Sequence, residues 1–266
     1  MKYTEGYLAF LDILGFSKFV ENENNGEATT NLFEFVKKFS HLFNTSPALN
    51  VQVSFFSDTI IITSEKLDKL IVPIYLAESY LKDSLGLLFR GSIVYGKYYH
   101  KDGSTFGPAV VEGYKLENRA IYSRIVLSDS IEVDKDDIFF FQDIDGYMCV
   151  NPYAMVFNEI LTFTPEGSVY PDEIDEGLIE KFKKKRSELL LQIEIHKGSP
   201  VVDKYLWRIR AFNTICNCVV NMQPGEVLYA NTDHKMSKKL IDEIGKLSII
   251  DRDVFITKYV PNEVNV

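Results

Sequence analysis

FLDILGFS (residues 10–17) predicts a β-strand that carries an aspartate and stops at a glycine. The residues before it are also aromatic and branched, so the strand is expected to span residues 7–14. An aspartate inside an apolar strand is costly unless it is paired or bound to a metal, and backbone N–H groups after such a glycine can point at phosphate oxygens. The alternative is a buried strand that ends in an ordinary turn. We expect Asp12 to hold a metal ion and the turn to cradle phosphates through Gly15, Phe16 and Ser17.

A second carboxylate follows another apolar strand. Residues 51–56 and 58–63 are rich in β-formers and nearly contiguous, which predicts a tight hairpin with Ser57 and Asp58 at its bend. Two such aspartates are the minimum for a pair of Mg²⁺ or Mn²⁺ ions, because hard cations take oxygen ligands. Taken alone, Asp58 would instead be interpreted as the cap of an Asx-type turn.

Glycines and a proline mark a third motif, RGSIVYG (residues 90–96) followed by FGPAVVEGYKLE (residues 106–117). Glycines in a strand permit close approach of another backbone, and proline is favoured in the first turn of a helix. The predicted helix carries Lys115. It also carries Glu112 and Glu117, which could form salt bridges within or between subunits and are given no catalytic role.

The apolar periodicity of the rest of the N-terminal half alternates between helix and strand. Helices are predicted at 31–43, 67–85 and 108–118, and further strands at 88–99 and 122–128. This pattern predicts an α+β sandwich, with helices on one face of a largely antiparallel sheet.

The order of elements changes beyond Ser130, where we place a domain boundary between residues 1–130 and 131–266. The second part is predicted to be a C-terminal α/β extension that packs on the core or on a dimer. Its predicted elements are strands at 137–142 and 146–150, a polar acidic linker near 165–177, and helices at 178–195 and 201–221.

Composition excludes several classes of function. A net charge of −9 and a pI near 5.1 would repel a nucleic-acid backbone, so no nucleic-acid partner is expected. No segment reaches transmembrane length and the N-terminus lacks a signal-peptide layout, so we expect a cytoplasmic protein without a membrane partner. The cysteines lack CxxC spacing and the histidines are scattered, which predicts neither a disulfide framework nor a zinc site: Cys149, Cys216, Cys218, His41, His100, His196 and His234.

The three motifs, in this order, resemble the catalytic domain of class III adenylate and guanylate cyclases over roughly residues 7–128. The resemblance implies a ferredoxin-type α+β core and an enzyme that converts a nucleoside triphosphate to a 3′,5′-cyclic nucleotide and pyrophosphate. It makes Asp12 and Asp58 ligands of two divalent cations, Mn²⁺ or Mg²⁺, with the carbonyl of Ile13 as a further ligand. It also implies a homodimer whose active sites are shared between subunits.

The sequence departs from that family at several site positions. Val111 stands where the family usually has a catalytic Asn, and Lys115 replaces the transition-state Arg, which keeps the charge but loses the planar fork. Ser54 and Ser104 align with the Lys and Asp that read adenine, so the usual adenine recognition is not expected. Arg90 is interpreted as a phosphate contact or a structural residue, with the structural role preferred.

Those departures, together with KYLWRIRAFN (residues 204–213), resemble the pyrimidine cyclases of the bacterial Pycsar antiphage system. This resemblance implies UTP or CTP as the substrate, cyclic UMP or cyclic CMP as the product, and a separate effector. The alternative is a catalytically degenerate cyclase-fold protein that binds nucleotide or dimerises as a regulator. The presence of both metal aspartates argues against it. A palm-type polymerase or diguanylate cyclase is disfavoured because no GGDEF-like hairpin is present.

Overall fold

The computed structural model describes residues 2–22, 24, 26–101, 103–134, 137–157, 171–226 and 235–249 of the 266-residue chain. The chain divides into two units. One comprises Met1–Glu132 and Met148–Val150, and the other Val133–Tyr147 and Asn151–Val266. No helix in the described ranges has the length and apolar character needed to cross a membrane.

Eight strands and seven α-helices are defined in the described residues. In the N-terminal part these are β1 (Thr4–Leu14), α1 (Phe16–Glu21), α2 (Gly26–Asn44), β2 (Val51–Phe56), β3 (Thr59–Ser64), α3 (Asp68–Leu85), β4 (Leu88–Lys101), β5 (Ser104–Phe106), α4 (Pro108–Glu117) and β6 (Ile125–Leu127). They continue with β7 (Phe140–Gln142), β8 (Met148–Val150), α5 (Pro171–Ile195), α6 (Val202–Val220) and α7 (Lys238–Gly245). A short 3₁₀ turn, Pro47–Leu49, precedes β2.

The first unit is built on a largely antiparallel sheet. Its strand order is β2-β3-β1-β4-β6-β8, with β5 paired to β4. Only the β4–β6 pair is parallel among these strands. The chain order β1-α2-β2-β3-α3-β4 with the spatial order β2-β3-β1-β4 is the ferredoxin-like arrangement. The predicted α+β class, with helices packed on a largely antiparallel sheet, is confirmed.

Helices cover both faces of the sheet in this unit. Phe35 of α2 packs edge-on against Phe55 of β2 and stacks on Tyr80 of α3, with ring centroids 4.1 Å apart in the stacked pair. The opposite face receives α4, because Gly113 has no side chain and its backbone lies against Phe10 of β1. The prediction that all helices lie on one face is therefore wrong for α4.

Several element boundaries also differ from the sequence prediction. The acidic stretch predicted as a linker is helical from Pro171 onward, since proline and acidic residues are favoured in a helix's first turn; residues 165–170 lie outside the described residues. β6 covers only Ile125–Leu127, because the N–H of Arg124 turns back to the carbonyl of Tyr122. The elements α1 and β5 were not predicted, since each is too short to show a periodic pattern. Helix α7 was also not predicted, although Leu240, Ile241 and Ile244 follow helical spacing.

The second unit has a helical core of its own. Phe182 of α5 packs against Phe212 of α6, with ring centroids 5.8 Å apart. Trp207 of α6 is buried and donates a 2.8 Å hydrogen bond from Nε1 to Oδ2 of Asp143, and Arg210 forms an ion pair with the same carboxylate. The segment KYLWRIRAFN is thus a core helix of this unit. That the C-terminal extension packs on the core or on a dimer remains a prediction.

Candidate functional site

The strand register places the first predicted aspartate in a row that crosses four strands. Asp12 of β1 lies opposite Thr59 of β3 on one side and opposite Arg90 of β4 on the other, and Thr59 in turn lies opposite Phe56 of β2. Residues directly opposite each other in a sheet point to the same face. This row therefore lies on the face that receives α4, and Phe56 at its far end is 82% exposed.

The second aspartate lies at the bend of the β2–β3 hairpin, as predicted. Ser57 takes a positive φ of 54°, which turns the chain at this point. The N–H of Ile13 donates a 2.8 Å hydrogen bond to the carbonyl oxygen of Asp58, so the bend is fixed to the end of β1. Asp12 and Asp58 are both half-buried. The fold thus brings the two aspartates to the same end of the sheet.

A third carboxylate, Glu117, completes the charge cluster. It is buried at the C-terminal end of α4, with a side chain 4% exposed. Its Oε1 lies 2.6 Å from Nε of Arg90, whereas Oδ2 of Asp12 lies 3.5 Å from the same nitrogen. Nε of Arg90 and Oε1 of Glu117 lack an aligned hydrogen bond despite the short distance, so the contact is an ion pair. The same nitrogen of Arg90 therefore has two carboxylates near it.

The environment of Glu117 opposes its ionisation. Burial raises the pKa of the Glu117 carboxyl, the neighbouring Arg90 lowers it in part, and the negative charges of Asp12 and Asp58 raise it further. Sequence reasoning considered Glu117 only for a salt bridge within or between subunits. The usable signal was the spacing of Ala109, Gly113 and Glu117, which puts the carboxylate on the sheet-facing side of α4.

Lys115 and Val111 lie elsewhere on α4. Both side chains are exposed. Lys115 is only two residues from Glu117, which on a helix directs it away from the sheet-facing side. Within one chain the structure therefore does not bring Lys115 to Asp12 and Asp58.

The predicted phosphate-binding turn follows β1 directly. Gly15 has a φ of 80° and precedes α1, and its carbonyl accepts a 3.1 Å hydrogen bond from the N–H of Phe19. Gly15 and Ser17 are exposed and Phe16 is half-buried. The first N–H groups of a helix lack partners within the helix. The turn therefore presents backbone donors three to five residues after Asp12 in the chain.

Ser54, predicted to line the base site, lies on the same sheet face as Asp12. It is opposite Ile61, and Ile61 is opposite Phe10, so its row lies two residues along the strands from that of Asp12. At about 3.3 Å per residue this is a displacement of roughly 7 Å along the strand direction. Ser54 is also two strands away from Asp12, which adds about 10 Å across the sheet. The structure thus puts the first base-site candidate on the same sheet face as Asp12, roughly 12 Å from it.

A histidine that sequence reasoning set aside contacts Ser54. His100 is buried, with Nε2 2.6 Å from Oγ of Ser54 and Nδ1 2.8 Å from Oγ1 of Thr63. Burial lowers the pKa of the His100 imidazole to about 4, so the ring is neutral near pH 7. Thr105 also donates to Ser54 over 3.3 Å. The predicted partner Ser104 is instead exposed at the start of β5, and the structure places its neighbour Thr105 against Ser54.

The donor atoms at Asp12 and Asp58 fit a hard divalent cation. Carboxylate oxygens are the preferred ligands of Mg²⁺ and Mn²⁺, and Mg²⁺ commonly uses one or two carboxylates together with waters and substrate phosphates. In the part of the chain that the structure describes, no group of three or more His, Cys, Asp or Glu side chains is arranged to hold a metal. The protein ligands would therefore be these two carboxylates and backbone carbonyls such as that of Ile13.

Comparisons with known proteins find similarities among solved structures. No protein-family model and no curated protein matches this sequence. Among solved structures, the chain is similar to an adenylate/guanylate cyclase/hydrolase from Silicibacter pomeroyi, with 16% sequence identity and a TM-score of 0.33. The alignment covers 55% of this chain and 95% of that chain. At these values the similarity carries no argument about the activity or the site residues of this chain.

Proposed function

We propose that this chain is a metal-dependent nucleotidyl cyclase, which converts a nucleoside triphosphate to a 3′,5′-cyclic nucleotide and pyrophosphate. The observation that supports it best is the placement of Asp12 and Asp58 at one end of a ferredoxin-like sheet, beside the Arg90 guanidinium. The two carboxylates could bind divalent ions, and the guanidinium could bind the phosphates of a nucleoside triphosphate.

Asp12 and Asp58, with the carbonyl of Ile13, would hold two divalent cations, Mn²⁺ or Mg²⁺. When bound, such cations activate an attacking hydroxyl and neutralise charge on the phosphates. In the reaction, the ribose 3′-oxygen forms a bond to the α-phosphorus and loses its proton. The bond between the α-phosphorus and the oxygen bridging to the β-phosphate breaks, and pyrophosphate leaves with that electron pair.

The remaining phosphate contacts are assigned from position and charge. The backbone N–H groups of Gly15, Phe16 and Ser17 would bind phosphate oxygens, because they follow Asp12 in a tight turn. The Arg90 guanidinium, 27% exposed, would bind the departing pyrophosphate. This assignment gives Arg90 a phosphate-binding role in addition to its ion pair with Glu117.

Ser54 would read the base, and Ser104 would line the same site. Ser54 is held by His100 and Thr105, so its hydroxyl has a fixed position on the sheet face. A hydroxyl is a small group that can donate to or accept from a base edge. We propose UTP or CTP as the substrate, since a lysine–aspartate pair for adenine is missing at these positions. A second messenger for antiphage defence is the role that the sequence resemblance supports.

A homodimer with shared sites would supply Lys115. Within one chain Lys115 points away from the sheet, while Phe56 in the row of Asp12 is 82% exposed and Tyr114 of α4 is 56% exposed. In this proposal the subunit interface covers these two exposed aromatic side chains. The partner's copy of α4 would then place its Lys115 against the α-phosphate or the leaving group.

A second candidate function is a nucleotide-binding or dimerising regulator without turnover. The ion contact between Arg90 and Asp12 favours it, because a guanidinium there can replace a cation, and so does the apolar Val111 at the catalytic position. The two candidates differ in a single measurement, namely whether any cyclic nucleotide forms.

Purified protein incubated with Mn²⁺ and each of the four ribonucleoside triphosphates tests the proposal. Mass spectrometry should detect a cyclic nucleotide and an equal amount of pyrophosphate from UTP or CTP. Nucleotide binding without any product from all four substrates would reject the cyclase and support the regulator.

A further inference from the structure

Glu117 is the least exposed carboxylate of the charge cluster, and nothing in the proposed reaction uses it. It ends α4, whose sheet-facing side is fixed to the core at two points. The hydroxyl of Ser92 donates a 2.7 Å hydrogen bond to the carbonyl of Gly113, and the backbone of Gly113 lies against Phe10. The position of Glu117 is therefore determined by the packing of its helix.

Arg90 contacts two carboxylates that differ in exposure, with the side chain of Asp12 25% exposed and that of Glu117 4% exposed. It lies directly opposite Asp12 in the β1–β4 register, so the two side chains share one face of the sheet. Nε of Arg90 is nevertheless closer to Glu117 than to Asp12, at 2.6 Å against 3.5 Å. A 3.5 Å separation is about 0.6–0.8 Å longer than the 2.7–2.9 Å typical of charge-assisted hydrogen bonds. The guanidinium thus lies closer to the buried carboxylate than to the half-buried one.

This arrangement matters for a carboxylate that must bind a cation. An arginine in direct contact with Asp12 would compete with a divalent ion for the same oxygen atoms. An arginine that were free to leave would no longer be available for a phosphate. A fixed carboxylate that contacts Nε at 2.6 Å meets both requirements, because it pairs with Arg90 and keeps the side chain at the site.

We propose that Glu117 is a positioning residue of the active site, which holds the Arg90 guanidinium beside Asp12 without letting it occupy the metal-binding oxygens. The effect on metal binding rests on the proposed function. The effect on the position of Arg90 depends only on the contacts among these three side chains.

The test is a set of three variants: Glu117→Gln, Arg90→Gln and the double change. Glutamine keeps the volume of glutamate and removes its charge. Glu112→Gln is the matched control, because Glu112 is exposed on the same helix.

Three measurements compare these proteins. Crystal structures without metal give the Arg90–Asp12 distance. Mn²⁺ titration followed by electron paramagnetic resonance gives the metal affinity, and steady-state kinetics separate KM from kcat.

In Glu117→Gln we expect the nearest Arg90–Asp12 contact to shorten from 3.5 Å to about 2.8 Å, the usual length for such a pair. Mn²⁺ affinity should fall about tenfold, since an arginine contact stabilises an ionised aspartate by a comparable factor. The KM for nucleotide should rise more than kcat falls. The double variant should recover Mn²⁺ affinity, which a loss of folding stability would not do. Glu112→Gln should behave as wild type.

The inference is overturned if Arg90 keeps its distance from Asp12 in Glu117→Gln, or if the double variant binds Mn²⁺ as weakly as the single one. If Glu117→Gln does not fold, Glu117→Asp takes its place, because it keeps the charge and moves the carboxylate back by one methylene. The Arg90–Asp12 distance should then exceed 3.5 Å, and an unchanged distance would overturn the inference. Absence of Mn²⁺ binding in the wild type would reject the proposed metal centre instead. The Arg90–Asp12 distance in the variant would then decide the positioning role alone.

Discussion

The N–H of Ile13 donates a 2.8 Å hydrogen bond to the carbonyl oxygen of Asp58. The bond joins the end of β1 to the bend of the β2–β3 hairpin, next to the ladder that pairs Asp12 with Thr59. Two carboxylates far apart in the chain are thereby held at one end of the sheet. Their proximity is a property of the backbone, so replacing either side chain should leave the geometry of the other intact.

Asp12→Ala and Asp58→Ala should each abolish cyclic-nucleotide formation and leave the fold unchanged. Each change removes one of two carboxylate ligands, while the backbone hydrogen bond that fixes the site remains. Product is measured by mass spectrometry and folding by circular dichroism and thermal unfolding. Asp242→Ala, at an exposed aspartate of α7, is the control and should keep full activity. Near-normal product from both folded variants would disprove the metal assignment.

UTP or CTP should be preferred to ATP in kcat/KM. Ser54 presents a hydroxyl where an adenine-specific site would need a matched donor and acceptor. Ser54→Ala should lower kcat/KM for the preferred nucleotide by about tenfold, the effect of one lost hydrogen bond. Mn²⁺ affinity should not change in this variant. A strong preference for ATP in the wild type would contradict the assignment of the base site.

Stability should fall as the pH drops from about 6.5 to about 4, because of His100. Burial lowers the pKa of this imidazole to about 4 in the folded protein, whereas the unfolded chain takes up the proton near 6.5. Protons therefore bind preferentially to the unfolded state across this window. The loss should amount to roughly 3 kcal/mol of unfolding free energy at its lower end.

Urea unfolding of wild type and His100→Gln at several pH values measures this contribution. The variant should be less stable at pH 7, where it lacks the contacts to Ser54 and Thr63, but should show a shallower loss on acidification. His41→Gln, at an exposed histidine of α2, controls for removal of an imidazole. Parallel pH profiles of wild type and His100→Gln would show that His100 does not carry the effect.

The second unit should depend on Asp143. Asp143→Ala would leave the buried N–H of Trp207 and the charge of Arg210 without their carboxylate. Removing one partner from such a buried pair costs about 3–5 kcal/mol of unfolding free energy. Urea unfolding, followed by the fluorescence of Trp207, the only tryptophan in the sequence, measures this loss of unfolding free energy. Asp145→Ala, at the exposed position two residues later, should cost less than about 1 kcal/mol. Equal effects of the two variants would reject this role.

The sequence predicted the placement of the two aspartates better than that of the residues around them. Asp12 and Asp58 interrupt apolar strands, and a charge in such a place is visible without any structure. Glu117 ends an amphipathic helix, where a carboxylate looks like an ordinary surface residue until the sheet-facing side is known. His100 gave no signal, because the histidines are scattered with no i, i+4 pair and no acidic cluster near them. Its partners Ser54 and Thr63 are distant in sequence.

The placement of α4 could not be predicted for a similar reason. Periodicity gives the buried side of a helix but not the sheet face that it covers. The face that α4 covers depends on Gly113, whose missing side chain allows contact with Phe10. A single glycine within a helix does not predict such a contact. The row from Phe56 to Arg90 likewise depends on register, since a one-residue shift would move Asp12 to the other face.

The last prediction concerns assembly. Asp58 and Lys115 should act in the same active site but come from different subunits, because Lys115 points away from the sheet of its own chain. Asp58→Ala and Lys115→Ala should therefore both be inactive as homodimers. After subunit exchange, a heterodimer would have one doubly damaged site and one intact site.

Random exchange of equal amounts should make about half of the dimers heterodimers, each with one intact site, so about a quarter of the wild-type activity should return. Exchange is verified by native mass spectrometry with one variant isotopically labelled. Mixing Asp58→Ala with Asp12→Ala is the matched control. Both of those carboxylates belong to the same half-site, so every heterodimer would lack one of them at each site and no activity should return. Recovery in the control as well would show contamination by wild type. Absence of recovery in the Asp58→Ala and Lys115→Ala mixture, with exchange demonstrated, would mean that Lys115 does not complete a site across the interface.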